Sequence, residues 1–457
     1  MIAMTLAEIA RVLDARLDGV PDQEVLVTAP SAVDSREVTP GGLFVATVGD
    51  HVDGHDYAAR AVASGAVAVL ATRSVGVPAI LVDDVQTALG VLAGHVLARL
   101  DCTVVAITGS VGKTTTKDLL AQILEPHAPT ISTDRSFNNE LGLPLTVLRA
   151  DAGTRYLVLE MGAGRKGDLT YLTGIAPPQV SLVLNVGAAH VSRMGGGLAG
   201  VAEAKGELVA ALTPDGHALL NADDPYVMGM AERTRARILL FGRAPNADVR
   251  AENVRLGDGA RPAFDLVTPS GRVAIALDLI GEHQVANALG AAAAATALGL
   301  SADEIAAGLH AARRRSSGRF EITERPDGVT VINDAYNANP ESMRAGLRAF
   351  SAMAGSRRSI AVLGGMGQQG DASQARHEQV GRLVAELGID VLIAVGDDDP
   401  LAMARAASGT TVTVHTAEDV PAAVKVATEL IVPGDVVFVK ASSEYGLGAC
   451  ARELAAH

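Results

Sequence analysis

The run "AITGSVGKTTTKD", Ala106 to Asp118, sets two glycines, Lys113 and three consecutive threonines directly after an apolar segment. An apolar strand that turns through Gly109 and Gly112 into a helix gathers backbone N–H groups and the positive end of a helix dipole around one point. That is an anion site. Lys113 adds a mobile cation, and the hydroxyl of Thr114, followed by Thr115, stands where a magnesium ion would need a ligand. The general phosphate-loop pattern is G-x-x-x-x-G-K. Here only Ser110 and Val111 separate Gly109 from Gly112, so the motif alone leaves a plain strand-to-helix turn open.

Further groups of suitable chemistry stand at strand ends and helix starts. "LVLEMGAG" ends a buried-type strand on Glu160, and "LVLNVGAAH" ends another on His190. Side chains at the carboxyl ends of neighbouring strands in an open α/β sheet converge on the ligand crevice, within reach of magnesium. Taken singly, each reads first as a turn or capping residue, and their company shifts the balance. Lys205 lies in "GVAEAKGELVAAL", on a helix whose apolar face is otherwise Val201, Leu208, Val209 and Leu212; alone it is a solvated helix lysine. His283 and Asn287 are four apart and share a helical face, from which Asn287 could meet an adenine edge. Arg319, in "GRF", offers a fixed cation. "NDAYNANP", from Asn333 to Pro340, brings Asp334, Tyr336 and Asn337 just ahead of a proline-started helix; its bland reading is a polar turn capped by Asn339.

Bringing these groups together takes several elements. A chain of 457 residues exceeds what one core serves, so two or three domains are expected. Residues 1–84 read as a small α/β domain. Residues 85–313 read as a central domain built on a mostly parallel sheet covered on both faces, and residues 314–457 as a doubly wound, Rossmann-like domain. Met1 to Val20 reads as an amphipathic helix rather than a secretory signal, and the alanine-rich Ala286 to Leu300 as a buried helix. No stretch approaches ~20 uninterrupted, strongly apolar residues, so a cytoplasmic protein without a membrane partner is expected. A formal net charge of −14, 3% aromatic residues and no Trp argue against nucleic acid as a partner. Two cysteines, Cys102 and Cys450, are too few for a disulfide framework or a thiolate metal site.

In order along the chain, "TGSVGKTTTKD", "SFNNELGLPLTVL", "LEMGAGRKGDLTYL", "NVGAAHV", "EAKGEL", "NADDP", "GEHQVANALGAA", "GRFE" and "NDAYNANPESM" resemble the Mur ligases. These are ATP-dependent, amide-forming enzymes of peptidoglycan precursor synthesis, and the resemblance covers nearly the whole chain. The short glycine spacing is the family's own form. "FNNE" and "DAYNANP" are most similar to the MurF branch, which joins D-alanyl-D-alanine to UDP-N-acetylmuramoyl-tripeptide. "DSREVTPGGLFVATVGDHVDGHDY" resembles the uridine-nucleotide domain shared by MurE and MurF.

Carried over residue by residue, the resemblance implies ATP phosphates at Gly109, Gly112, Lys113, Thr114, Thr115 and Arg319. It implies magnesium at Thr114 and Glu160, with His190 near a second metal. Lys205 matches the lysine that the family carbamylates, which turns a cation into a carboxylate-like metal ligand. Asn287 is implied at the adenine and Asp334 at the ribose, with Tyr336 and Asn337 nearby. Ser35, Arg36, Asp53, His55, Asn138 and Asn139 are implied at the UDP-N-acetylmuramoyl peptide, and a D-amino-acid dipeptide is the implied acceptor. Lys113, Lys205, His190 and Arg319 form the implied catalytic set, and a monomer is expected.

The implied reaction activates a carboxylate as an acyl phosphate, which an amine then converts to an amide. Gly365 and Gln368 or Gln369 stand where the branch usually has acidic residues, Gln284 where Asn is usual, and "SEYGLGACAREL" replaces the usual continuation after "VKAS". A paralogous Mur-type ligase with another amine or donor is therefore the alternative. A nucleotide-dependent regulatory protein would not need Glu160, His190, Lys205 and Arg319 together, and a folate-type ligase would not need the uridine-like first domain.

Overall fold

The structure, a computed structural model, describes residues 1–49, 52–189 and 191–457. His190 lies outside the described residues. The segment Val104–Ile107 is apolar throughout and buried on both sides, so the strand Thr103–Thr108 becomes interior to a sheet rather than an edge. Its neighbours are Tyr156–Glu160 and Val180–Val183, both parallel to it, and Thr130–Ser132, His217–Asn221 and Arg237–Gly242 extend the parallel array.

Both faces of that sheet are covered. The alanine-rich helix Gln284–Ala297 and the helix Lys113–Leu124 cover one face, with Leu119, Leu120, Ile123 and Leu289 in the shared core. Its run of buried alanines lets backbone approach backbone, which explains an apolar helix that crosses no membrane. Helices Val85–Leu97, Asp168–Ile175 and Gly197–Ala210 cover the other face. The same core takes in Leu6 and Ile9, so the first of these helices ties the N-terminal segment to the centre.

Three strands beyond Arg237–Gly242 were not anticipated. Val249–Leu256 continues the sheet in parallel, and Pro262–Thr268 and Gly271–Ala276 close it as antiparallel strands. Pro262–Thr268 alternates buried with half-exposed residues and so lacks the continuous apolar run of the interior strands. At the N-terminus the expected helix across Met1–Val20 is corrected. Only Leu6–Val12 is helical, capped by Thr5, and Arg16–Asp18 is a strand paired with Ala79–Leu81. Asp14 at φ 49° ends the helix by turning the chain back.

The C-terminal sheet runs Glu321–Glu324, Thr330–Asn333, Val436–Lys440, Ser359–Leu363, Val391–Val395, Thr413–Ala417. All its pairings are parallel except the first. Its loops reach the central domain. Asn339 Nδ2 donates to the Ser110 carbonyl at 3.3 Å, Glu341 Oε1 accepts from the Ala188 N–H at 3.0 Å, and Ser192 Oγ donates to the Gln368 carbonyl at 2.9 Å. No helix among the described residues is long and apolar enough to cross a membrane.

Candidate active site

The strand Thr103–Thr108 ends at Gly109, and the turn closes at Gly112 with φ 86°, a left-handed conformation that favours glycine. A Cβ on Gly112 would also overlap Asn287 Oδ1, which packs against the turn from the helix Gln284–Ala297. Asn185, at the end of the neighbouring strand, holds the loop open. Its Oδ1 accepts from the Ser110 and Val111 N–H groups at 3.0 and 2.9 Å, and its Nδ2 donates to the Val111 carbonyl.

Lys113 points back across the loop and donates to the Gly109 carbonyl at 2.8 Å. Burial lowers its ammonium, while the Glu160 carboxylate raises it and Arg319 lowers it again. That hydrogen bond is to a neutral acceptor, so an anion at the loop would meet a desolvated cation. Thr114 Oγ1 donates to Glu160 Oε2 at 2.8 Å and lies 3.4 Å from Ser136 Oγ; Asn138 Nδ2 donates to Glu160 Oε1 at 2.6 Å. This set of hydroxyl and carboxylate oxygens suits a hard cation such as magnesium. Lys205 is buried on the helix Gly197–Ala210, and burial, then the charge of Lys113, bring its ammonium down to about 7.

From the C-terminal domain, Arg319 lies over the Tyr336 ring at 4.3 Å and reaches Thr114 Oγ1 with Nη2 at 3.3 Å. Its buried Nε has no hydrogen-bond partner among the described residues. Gly109, Lys113, Asn138, Asn139, Glu160, Lys205, Arg319, Tyr336 and Asn337 all face one cavity of about 1390 Å³. A smaller cavity of about 90 Å³ lies between the loop, including Gly112, Thr114 and Thr115, and Asn337–Asn339.

Three comparisons bear on this arrangement. A Mur ligase middle-domain model matches residues 107–295, a Mur ligase glutamate ligase domain residues 318–443, and a Mur ligase family catalytic domain residues 32–96. The UDP-N-acetylmuramoyl-tripeptide–D-alanyl-D-alanine ligase of Mycobacterium bovis is 43% identical, covering 100% of this chain and 98% of its own. The chain belongs to the Mur ligase family. Among solved structures, MurF from Acinetobacter baumannii matches with TM-score 0.86 at 31% identity, covering 100% of this chain and 99% of its own. MurF ligase from Thermotoga maritima in complex with ADP matches with TM-score 0.78 at 29% identity, covering 94% and 97%.

This Mur ligase does not bring every expected side chain to the two cavities. Asn287 lies behind Gly112, its amide donated to Gln284 Oε1 at 2.8 Å. Asp334 accepts from the Phe320 N–H with Oδ1 and pairs with Lys440 Nζ through Oδ2, and so braces the turn that carries Arg319. Ser35 is buried in the first domain, and Arg36 is held by Asp34 through Nε and Nη2. Asp53 and Thr72 take both ring nitrogens of the buried His55.

Sequence reasoning missed Asn185, Ser136, Glu341 and Lys440. Lys440 is buried and ties the loop from inside, donating to Asp334 and to the Asn337 carbonyl at 2.8 Å. A charged residue closing the apolar strand "VVFVK" was the available signal. Two departures from the branch pattern compensate each other: the Tyr445 ring and hydroxyl fill the space beside Gly365 that a side chain would take. Gln369 is buried and turned inward, donating to the Gly367 carbonyl.

Proposed function

We propose that this chain joins D-alanyl-D-alanine to UDP-N-acetylmuramoyl-tripeptide, with ATP converted to ADP and phosphate. The observation that carries the reading is that Lys113, Lys205, Arg319 and Glu160, the acceptor of the Thr114 hydroxyl, line one cavity large enough for a nucleotide-linked peptide. Support comes also from the full-length similarity to ligases of that name.

The donor carboxylate oxygen attacks the γ-phosphorus of ATP and ADP leaves, giving an acyl phosphate. The acceptor amine then attacks the acyl carbon, phosphate departs and the nitrogen releases a proton. Lys113, Arg319 and the N–H groups from Gly112 to Thr115 offset charge on the transferring group, in a site where desolvation strengthens each contact. Tyr336 fixes the Arg319 guanidinium from below. Thr114 and Glu160 would hold magnesium, with His190 at a second ion. The metal, when bound, supplies charge neutralisation between phosphate oxygens.

Lys205 is the residue we assign to carbamylation. A lysine brought down to about 7 presents free amine to carbon dioxide near neutral pH, and the resulting carbamate would face the charge of Lys113. Residues 1–84 serve as the uridine-nucleotide domain, residues 85–313 as the ATP domain and residues 314–457 as the closing domain. Asn138 and Asn139 face the donor, while Ser35, Arg36, Asp53 and His55 stay candidates through the resemblance alone, as do Asn287 for adenine and Asp334 for ribose. A cytoplasmic monomer completes the reading.

The deciding experiment measures phosphate release from ATP and magnesium with UDP-N-acetylmuramoyl-tripeptide, with and without D-alanyl-D-alanine, while mass spectrometry follows the product. A pentapeptide product formed only with the dipeptide is expected. Release with other amines and none with this dipeptide would overturn the acceptor assignment.

A further inference from the structure

Away from the active-site cavity, the helices Pro340–Ala354 and Ser373–Glu386 enclose a cleft of about 220 Å³. Arg344 and Arg348 line it from one face of the first helix, and Arg376 and Arg382 from the second. Most arginines of this acidic chain face a carboxylate, for example Arg36 with Asp34, Arg315 with Glu125 and Arg325 with Asp327. This cleft departs from that pattern. Arg344 and Arg348 have no hydrogen-bond or ion-pair partner among the described residues. Among the described residues Arg376 hydrogen-bonds only the neutral Gln369, donating to its carbonyl at 3.2 Å and to Oε1 at 2.8 Å. The opposing acids are Glu386 in the cleft wall and Glu378, which stands 3.6 Å from Arg382.

Arg344 and Arg348 are one helical turn apart, so their like charges repel, and among the described residues no carboxylate pairs directly with either. A guanidinium presents a planar fork of donors that matches phosphate oxygens in pairs. Two unpaired forks on one helix face, with a third bound only to an amide, form a receptor for a multiply charged oxyanion. The recess is small, which favours a compact anion over a flat, extended surface. We propose that this cleft is a binding site for a free polyphosphate-class anion such as inorganic pyrophosphate, separate from the phosphate loop. It adjoins a domain contact, because Gln369 follows the Gln368 carbonyl that Ser192 of the central domain reaches.

Calorimetric titration of magnesium-free protein with pyrophosphate tests this, in a Lys113→Ala background that weakens the phosphate loop. One-to-one binding is expected, weakened about tenfold or more when Arg344→Ala and Arg348→Ala are added. Both arginines are exposed, so circular dichroism and turnover of the double variant with intact Lys113 should match the parent. Absence of binding, or equal affinity with and without the two arginines, overturns the proposal. ATP titrated into the same background separates the sources: tighter binding than tripolyphosphate names a nucleotide, and equal binding names the free anion. Arginine-dependent sedimentation with phosphatidylglycerol vesicles, without pyrophosphate binding, would overturn the small-anion assignment in favour of a lipid surface.

Discussion

Lys113 gives the sharpest residue-scale expectation. Its ammonium is desolvated and bonded to a carbonyl, so removing it takes a cation from the transferring phosphate without opening the core. Lys113→Ala should lower turnover by at least about 10²–10³-fold with an unchanged melting temperature. Near-parental rates would end the phosphate assignment. Lys205→Ala should likewise remove most activity; bicarbonate should not restore it, whereas short-chain acids entering the vacated space should do so in part. Parental rates in that variant would contradict a carbamate. At Cys450, burial pushes the thiol up to about 12, so almost no thiolate is present near neutral pH. An aromatic disulfide reagent should label it only after denaturant is added, and rapid labelling of native protein would show the C-terminal helix to be loosely docked.

At the scale of the element, the turn from Gly109 to Gly112 works because two neighbours brace it. Asn185 satisfies the first N–H groups and Asn287 closes the space behind Gly112. Gly112→Ala adds a Cβ where φ is 86° and where Asn287 already stands. It should cost about 1–3 kcal/mol in denaturant titration. ATP affinity should fall with it; a variant of parental stability would show that the turn can relax. That Gly109, Gly112 and Lys113 form a strand-to-helix turn, and that Glu160 ends a neighbouring strand, was legible because such a turn leaves few choices of residue and buried strands carry apolar runs. Asn185 was not, because an asparagine after an apolar strand reads as any turn residue until its partner loop lies beside it.

On the scale of the whole molecule, the candidate site draws side chains from two parts of the chain. Arg319, Asn337, Asn339 and Glu341 all arrive from residues 314–457. Glu341→Ala leaves the Ala188 N–H without its acceptor and should shift the arrangement towards open forms. The expected result is a raised KM for ATP, with small-angle scattering showing a larger radius of gyration than the parent in the presence of nucleotide. Scattering identical to the parent would mean that Asn339 and Arg319 suffice to hold closure.

The sequence by itself determined the interior strands, the phosphate turn and the order of domains, because burial on both faces and a left-handed glycine are local demands that residue types must meet. It also marked Lys205 and Arg319, though only by their company. Tertiary structure decided which candidates meet. Asp334 was drawn to Lys440 and His55 to Asp53 and Thr72, since a buried polar group takes the nearest partner. It also decided the antiparallel strands after Val249 and the strand at Arg16–Asp18, whose half-exposed residues depend on what lies across the sheet. Pairing between segments is set by packing, and packing has no signature in neighbouring letters.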